Sequence, residues 1–298
     1  MTDFCSSKKL LTDGIAKLRL SKIPTPELDA RILLSYVINY QNTIYIHNDI
    51  KISREEKNKF YNCLRKRIRG KPVSRIIGSR NFWKNNFLIN KYTLDPRADS
   101  EVIIDVITKT YSNNCNHFQI LDLGSGSGCI GLSIIDDLKN TSLLSLDICN
   151  KALEQVNINA QRLNLSKRLH CAQINWFENT WIENIKLITQ NEKLFSKNKF
   201  DIIVCNPPYV KSSDIEKLQT EVKNYDPLIS LDGGVDGCDS YRAIFKGLKE
   251  LLSIKGLCYM EIGYDLLEDI KNILKEFNLN LLRVYKDFQG HSRVIEIN

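Results

Sequence analysis

The chain has 298 residues, 43% of them hydrophobic and 26% charged; that is room for two domains and too much apolar surface for a disordered chain. No apolar run reaches the ~18 residues of a membrane span, and Met1 to Lys9 lack the basic-then-apolar pattern of a secretion signal, so a cytoplasmic protein with no membrane partner is expected. Residues 1–90 hold 18 basic and 7 acidic side chains (+11), whereas the remainder holds 24 and 28 (−4), an asymmetry that predicts two units with different tasks.

Residues 1–75 are expected to form a helical domain. Leu10, Leu11, Ile15, Leu18 and Leu20 recur at helical spacing, and Pro26 follows a Pro-Thr break and can open a second helix carrying Leu28, Ile32, Leu33, Val37 and Ile38. Ser53 with Glu55 and Glu56 reads as the capped start of a third helix, which ends in basic residues and Gly70. Residues 76–98 predict a β-hairpin linker, two short strands around an Asn turn. From 99 to 298 apolar β-prone runs at 118–123, 143–147, 169–174, 200–205 and 256–262 alternate with helical stretches such as 151–163, and a last strand is expected at 293–297. That rhythm predicts a mostly parallel, doubly wound α/β sheet, whose ligands bind at the carboxyl ends of the strands. The nine cysteines lie at least 14 residues apart with no C-x-x-C pair, so free thiols and no metal site are expected.

Three signals carry chemistry. Asp122-Leu123-Gly124-Ser125-Gly126-Ser127-Gly128 follows the first strand of the sheet, and its glycines allow a sharp turn close to a ligand. Asp147 ends the next strand, where a carboxylate can accept from both hydroxyls of a ribose. Residues 126–131 also fit the dinucleotide fingerprint, but an acid just before the glycines suits a cationic ligand better than a pyrophosphate, which favours S-adenosylmethionine. The third signal is Asn206-Pro207-Pro208-Tyr209, directly after the strand at 200–205. Two prolines fix the backbone and remove two donors. The Asn206 side-chain carbonyl and the Pro207 backbone carbonyl can then accept both hydrogens of a planar –NH2, with Tyr209 against its flat face. Such a corner selects an amide or an exocyclic amine.

Together these motifs resemble the seven-stranded S-adenosylmethionine-dependent methyltransferases, and most closely the family that methylates a glutamine side-chain amide in class 1 peptide chain release factors. The likeness extends to Leu64–Val73 and Ile76-Ile77-Gly78, to Leu94-Asp95-Pro96-Arg97-Ala98-Asp99-Ser100-Glu101 (the family's Pro-Arg-Pro-Glu-Thr-Glu segment), to Leu231-Asp232-Gly233-Gly234-x-x-Gly237 with Tyr241-Arg242, to Glu261-Ile262-Gly263 and to Gly290-His291-x-Arg293. The resemblance implies a seven-stranded sheet and methyl transfer to the glutamine of the Gly-Gly-Gln motif in translation termination. It implies S-adenosylmethionine held by Gly124, Ser125, Gly126, Ser127, Gly128, Asp147, Trp176 and Asn206. The substrate corner would be Asn206, Pro207, Pro208 and Tyr209, with Asn206, Pro207 and Tyr209 in the catalytic roles. It also implies a basic N-terminal domain that grips the release factor, a monomer, and no stable nucleic-acid partner. Ala98 and Asn175 depart from the family pattern. Alternatives are a ribosomal protein glutamine methyltransferase, an enzyme acting on adenine or guanine amino groups, and a binding module that kept the cofactor pocket.

Overall fold

The computed structural model describes residues 4–40, 44–45 and 47–298; Met1 to Asp3, part of the stretch read for a secretion signal, lie outside them. The described chain divides into two compact units, one of residues 1–79 with 219–225, the other of 80–218 with 226–298.

The first unit is built on helices Ser7–Leu20, Pro26–Val37 and Arg54–Ile68. Pro26 stands at the first turn of its helix, and Ser53 forms a reciprocal capping box with Glu56, so two otherwise orphaned amide donors are satisfied. Leu10, Leu11, Leu18, Leu33, Leu34, Phe60 and Leu64 form the core. Leu20 and Leu28 fall off the buried stripe and face solvent, a departure from the expected apolar faces. The short helix Thr220–Lys223 belongs to this unit. Glu221 accepts from Arg67 Nη2 at 2.6 Å, and the buried Asp29 accepts from Arg67 Nε at 2.6 Å. A guanidinium that is nearly fully buried is thus paired on two sides, the condition under which a buried charge is tolerated.

A hairpin of Ser79–Phe82 and Asn85–Leu88 comes next, all but Ser79 in the second unit. Its turn is Trp83-Lys84 and not the expected Asn turn, with Trp83 in the left-handed region at φ 52°. Glu101 Oε1 accepts from the Trp83 amide at 2.9 Å, and Asp137 Oδ2 accepts from its indole at 2.9 Å, so tertiary partners override the usual turn preference.

Seven strands then form one sheet: β1 (Phe118–Leu123), β2 (Thr141–Asp147), β3 (Leu169–Gln173), β4 (Phe200–Cys205), β5 (Leu252–Glu261), β6 (Leu281–Lys286) and β7 (Ser292–Ile297), in the spatial order 6-7-5-4-1-2-3. β1 to β5 pair in parallel, while β7 runs antiparallel between β5 and β6. The strand β6 was not expected; three of its six residues are exposed and none is fully buried, as an edge strand permits. Odd and even positions of the central strands feed separate cores. Leu121, Leu123, Ile203 and Cys205 pack under helices Trp181–Asn191, Asp239–Leu251 and Leu267–Glu276. Ile120, Leu143, Ile202 and Val204 pack under Glu101–Tyr111, Cys129–Asp137 and Asn150–Arg162. A sheet covered on both faces needs strands apolar on both faces, which is why these read as continuous apolar runs. Among the described residues no helix is long and apolar enough to cross a membrane.

Register positions the chemistry. Leu123 lies opposite Leu146 on one side and Cys205 on the other, and Cys205 lies opposite Met260. The residues that follow, Gly124, Asp147, Asn206 and Glu261, therefore emerge along one edge of the sheet.

Candidate active site

At that edge lies a cavity of about 630 Å³ within the second unit. Its wall begins with the loop after β1. The amides of Gly124 and Ser125 both donate to Leu146 O at 2.9 Å, and Ser125 Oγ donates to the same carbonyl at 3.1 Å. The loop is therefore stitched to the end of β2 and cannot open without losing these bonds. Gly124, Gly126 and Gly128 all have positive φ, at 74°, 55° and 79°, where a Cβ would be strained. The three differ in what surrounds them. A Cβ at Gly128 would stand 2.9 Å from Val156 Cγ1, and one at Gly124 would stand 3.1 Å from the Trp176 ring, whereas one at Gly126 would meet nothing within 4 Å. Gly128 is thus needed for packing of the helix it precedes, and Gly126 keeps the cavity wall bare.

Asp147 completes this side. Its Oδ2 accepts from the Gly126 amide at 2.9 Å and its Oδ1 from the Cys149 amide at 2.8 Å. Burial raises the carboxyl above the ordinary aspartate range, and those two amides with that of Ile148 draw it back. Each oxygen keeps a lone pair for a hydroxyl donor. Trp176 closes the wall against Gly124, its Nε1 buried without a protein partner.

The expected site residues fall into two groups. Gly124, Ser125, Gly126, Ser127, Asp147, Trp176, Asn206 and Pro208 line the cavity. Gly128, Pro207 and Tyr209 lie outside its lining: Gly128 starts a helix, Pro207 is buried, and Tyr209 donates its hydroxyl to Glu261 Oε1 at 3.2 Å. Burial pushes the Tyr209 phenol well up, with the Glu261 carboxylate adding to the shift. Asp122 behaves differently from its expectation. It sits beneath the loop, outside the cavity lining, packed against Gly131. Burial lifts its carboxyl to about 7, against the Gly131 amide that favours the charged form. Its acid therefore supports the loop from below.

Asn206 is half-buried at the end of β4, and its Nδ2 donates to Ser100 Oγ at 3.0 Å. Ser100 in turn donates to Glu261 Oε2 at 2.5 Å. Both residues were visible only as parts of family-like segments, because neither bears a local motif of its own. Arg97, also on the wall, is paired with the buried Asp226, and Asn175 Oδ1 accepts from the Phe177 amide at 3.0 Å. Arg293 is held by Asp287 and His291 donates its amide to the same aspartate, which ties the β6–β7 turn together.

These residues fit a nucleoside. Two fixed carboxylate oxygens face a site for vicinal hydroxyls, an orphaned indole N–H lies beside it, and the volume is that of an ordinary small-molecule site. S-adenosylmethionine has those features.

Residues 9–78 match the model of the PrmC N-terminal domain, and residues 94–222 that of the methyltransferase small domain. A "Bifunctional methyltransferase" of Rickettsia conorii is 33% identical and covers 98% of this chain, but the chain spans only 57% of that relative's length. A "Release factor glutamine methyltransferase" of Clostridium botulinum is 33% identical, covering 97% of this chain and 98% of the relative. One of Agrobacterium fabrum is 32% identical, covering 94% and 92%.

Proposed function

The chain belongs to the release factor glutamine methyltransferase family, and from that premise we propose that it methylates the side-chain amide nitrogen of a glutamine in a class 1 peptide chain release factor. The observation that carries the reading is the shared cavity: Asn206, with its amide nitrogen engaged by Ser100, lines the same space as Asp147 and the glycine loop. When bound, S-adenosylmethionine supplies an electrophilic methyl group. The loop at 124–128, Asp147, Trp176 and Asn206 would hold it.

The chain's own part is positioning. An amide nitrogen is a weak nucleophile because its lone pair is delocalised into the carbonyl. Asn206 Oδ1 accepts one of its hydrogens, and the Pro207 carbonyl, which lies outside the cavity lining, would take the other once the substrate amide is seated; the two contacts draw electron density toward nitrogen and fix the plane of the group. Pro208 and Tyr209 keep that corner rigid, the latter by packing and by its bond to Glu261. Orientation of this kind supplies up to ~7–11 kcal/mol in favourable cases, so no strong general base is required. A guest that fills this largely apolar cavity displaces its water, which favours a step that disperses charge. The reading carries with it a cytoplasmic location and a single-chain enzyme, and the +11 surplus of residues 1–90 suits an acidic protein partner.

The test is competitive. The purified chain is incubated with methyl-labelled S-adenosylmethionine together with a release factor, ribosomal proteins, tRNA and DNA. Label is expected in the release factor. Label confined to a ribosomal protein or to nucleic acid would overturn the reading.

A further inference from the structure

Behind Asn206 lies a carboxylate that the proposed reaction does not touch. Glu261, at the end of β5, is 1% exposed. Its Oε2 accepts from Ser100 Oγ at 2.5 Å, its Oε1 accepts from the Tyr209 hydroxyl at 3.2 Å, and Tyr241 donates to its backbone carbonyl at 3.0 Å. Ser100 is 2% exposed and has one further contact of consequence, the Asn206 Nδ2 at 3.0 Å. Among the described residues no donor reaches Asn206 Oδ1.

The polarity of this chain follows from the inventory of donors and acceptors. Burial raises the Glu261 carboxyl, while Ser100, the nearby Arg293 and Tyr209 favour its charged form; as a carboxylate, with a hydroxyl at each oxygen, it only accepts, so both hydroxyls donate to it. Ser100 has a single hydrogen. With that hydrogen directed at Glu261, its oxygen can only accept, and only the –NH2 end of Asn206 can meet it. The two ends of a carboxamide are nearly equal in shape, so shape alone does not decide which faces the cavity. Here a buried negative charge two bonds away decides it.

We infer that Glu261, acting through Ser100, sets the orientation of the Asn206 amide so that Oδ1 and not the –NH2 is presented to the cavity, which makes Ser100 and Glu261 positioning residues for recognition of a planar N–H donor. This rests on Asn206 being the acceptor for the substrate amide. With the orientation reversed, Asn206 would face the substrate –NH2 donor to donor. The arrangement also explains a fully buried acid beside an active-site cavity with no role in proton transfer. It rejects guests that offer acceptors at this corner, such as a substrate carboxylate, so the corner discriminates glutamine from glutamate.

Two measurements test the inference, one independent of turnover. In the protein without cofactor, ¹⁵N labelling resolves the two Asn206 side-chain amide protons. The proton bound to Ser100 is expected to exchange with solvent at least about tenfold more slowly than its twin, as the hydrogen-bonded member of a half-buried group. In Ser100→Ala the two rates are expected to converge. In Glu261→Gln, where no charge obliges Ser100 to donate, they are expected to converge as well. Equal rates in the unmodified protein, or a persisting difference in both variants, would overturn the inference. In the second measurement, transfer to a release factor, Ser100→Ala is expected to lower kcat by about tenfold or more while the S-adenosylmethionine KM stays within about threefold, and Ser100→Thr, which keeps the hydroxyl, is expected to recover most of the loss. An unchanged kcat in Ser100→Ala would also contradict it. If the unmodified protein labels no release factor, the proposed function fails, and the exchange measurement still decides the polarity of Asn206.

Discussion

Single side chains at this site separate into those that touch a guest and those that hold others in place. Asn206→Ala removes the acceptor at the substrate corner, and transfer is expected to fall on the order of 10²-fold or more. Cofactor affinity, read by titration calorimetry, should change only several-fold, since Asp147 and the glycine loop remain. Asp147→Ala is expected to do the reverse and weaken cofactor binding by roughly tenfold or more, through loss of charge-assisted hydrogen bonds. Asp122 gives a pH signature instead. Burial raises its folded-state carboxyl from 3.8 to about 7, so the folded protein prefers it protonated. Its contribution to stability is fully present below pH 3.8 and is lost as pH rises through about 7. Asp122→Asn, which keeps an oxygen for the Gly131 amide, is therefore expected to gain stability over the parent as pH rises across that window, by up to a few kcal/mol, and denaturant titrations at several pH values measure it. The place of Asp122 before the glycines suggested a ligand contact, but strand alternation turns its side chain under the loop, away from the cavity. Asn206 and Asp147 were legible because each follows the last residue of an apolar strand or ends it. Ser100 and Glu261 were not legible as a pair, since they lie 161 positions apart and only the sheet register brings them together.

Elements show a similar division between what local pattern carries and what tertiary structure adds. β1 and β4 match their expected bounds at both ends, because these buried parallel strands are mostly apolar and end abruptly at glycine or Asn-Pro. β6 was missed because its charged, half-exposed sequence lacks such a run. The hairpin turn was misplaced because Trp83 adopts its left-handed conformation under the pull of Glu101 and Asp137, contacts that no local rule reports. The glycine loop allows a paired test at this scale. Gly128→Ala meets both a positive φ and close contacts with Val156 and Leu132, and is expected to destabilise the fold by about 2 kcal/mol or more. Gly126→Ala meets only the positive φ, so it should cost about 1–2 kcal/mol yet impair cofactor binding more than Gly128→Ala, because its methyl group takes space from the cavity wall. Thermal melts and cofactor titrations on both variants separate the two effects.

For the molecule as a whole, charge was the most direct signal. The excess of basic residues in 1–90 stands against a slightly acidic remainder, and with an acidic protein substrate it predicts steered association. The kcat/KM for a release factor is expected to fall as salt rises from low to physiological ionic strength, while kcat at saturation stays nearly constant; a salt-independent kcat/KM would remove the electrostatic part of the account. What pattern reading did not reveal at this scale is the grouping of 219–225 with the first unit, since a four-residue helix held by Glu221 and Arg67 leaves no periodic trace. The most direct test of the central claim is mass-spectrometric mapping of a release factor after reaction with the unmodified chain and S-adenosylmethionine. The account predicts one added methyl group on the side-chain nitrogen of the glutamine in its Gly-Gly-Gln motif, absent with Asn206→Ala. A methyl group on another residue, or equal methylation by that variant, would contradict it.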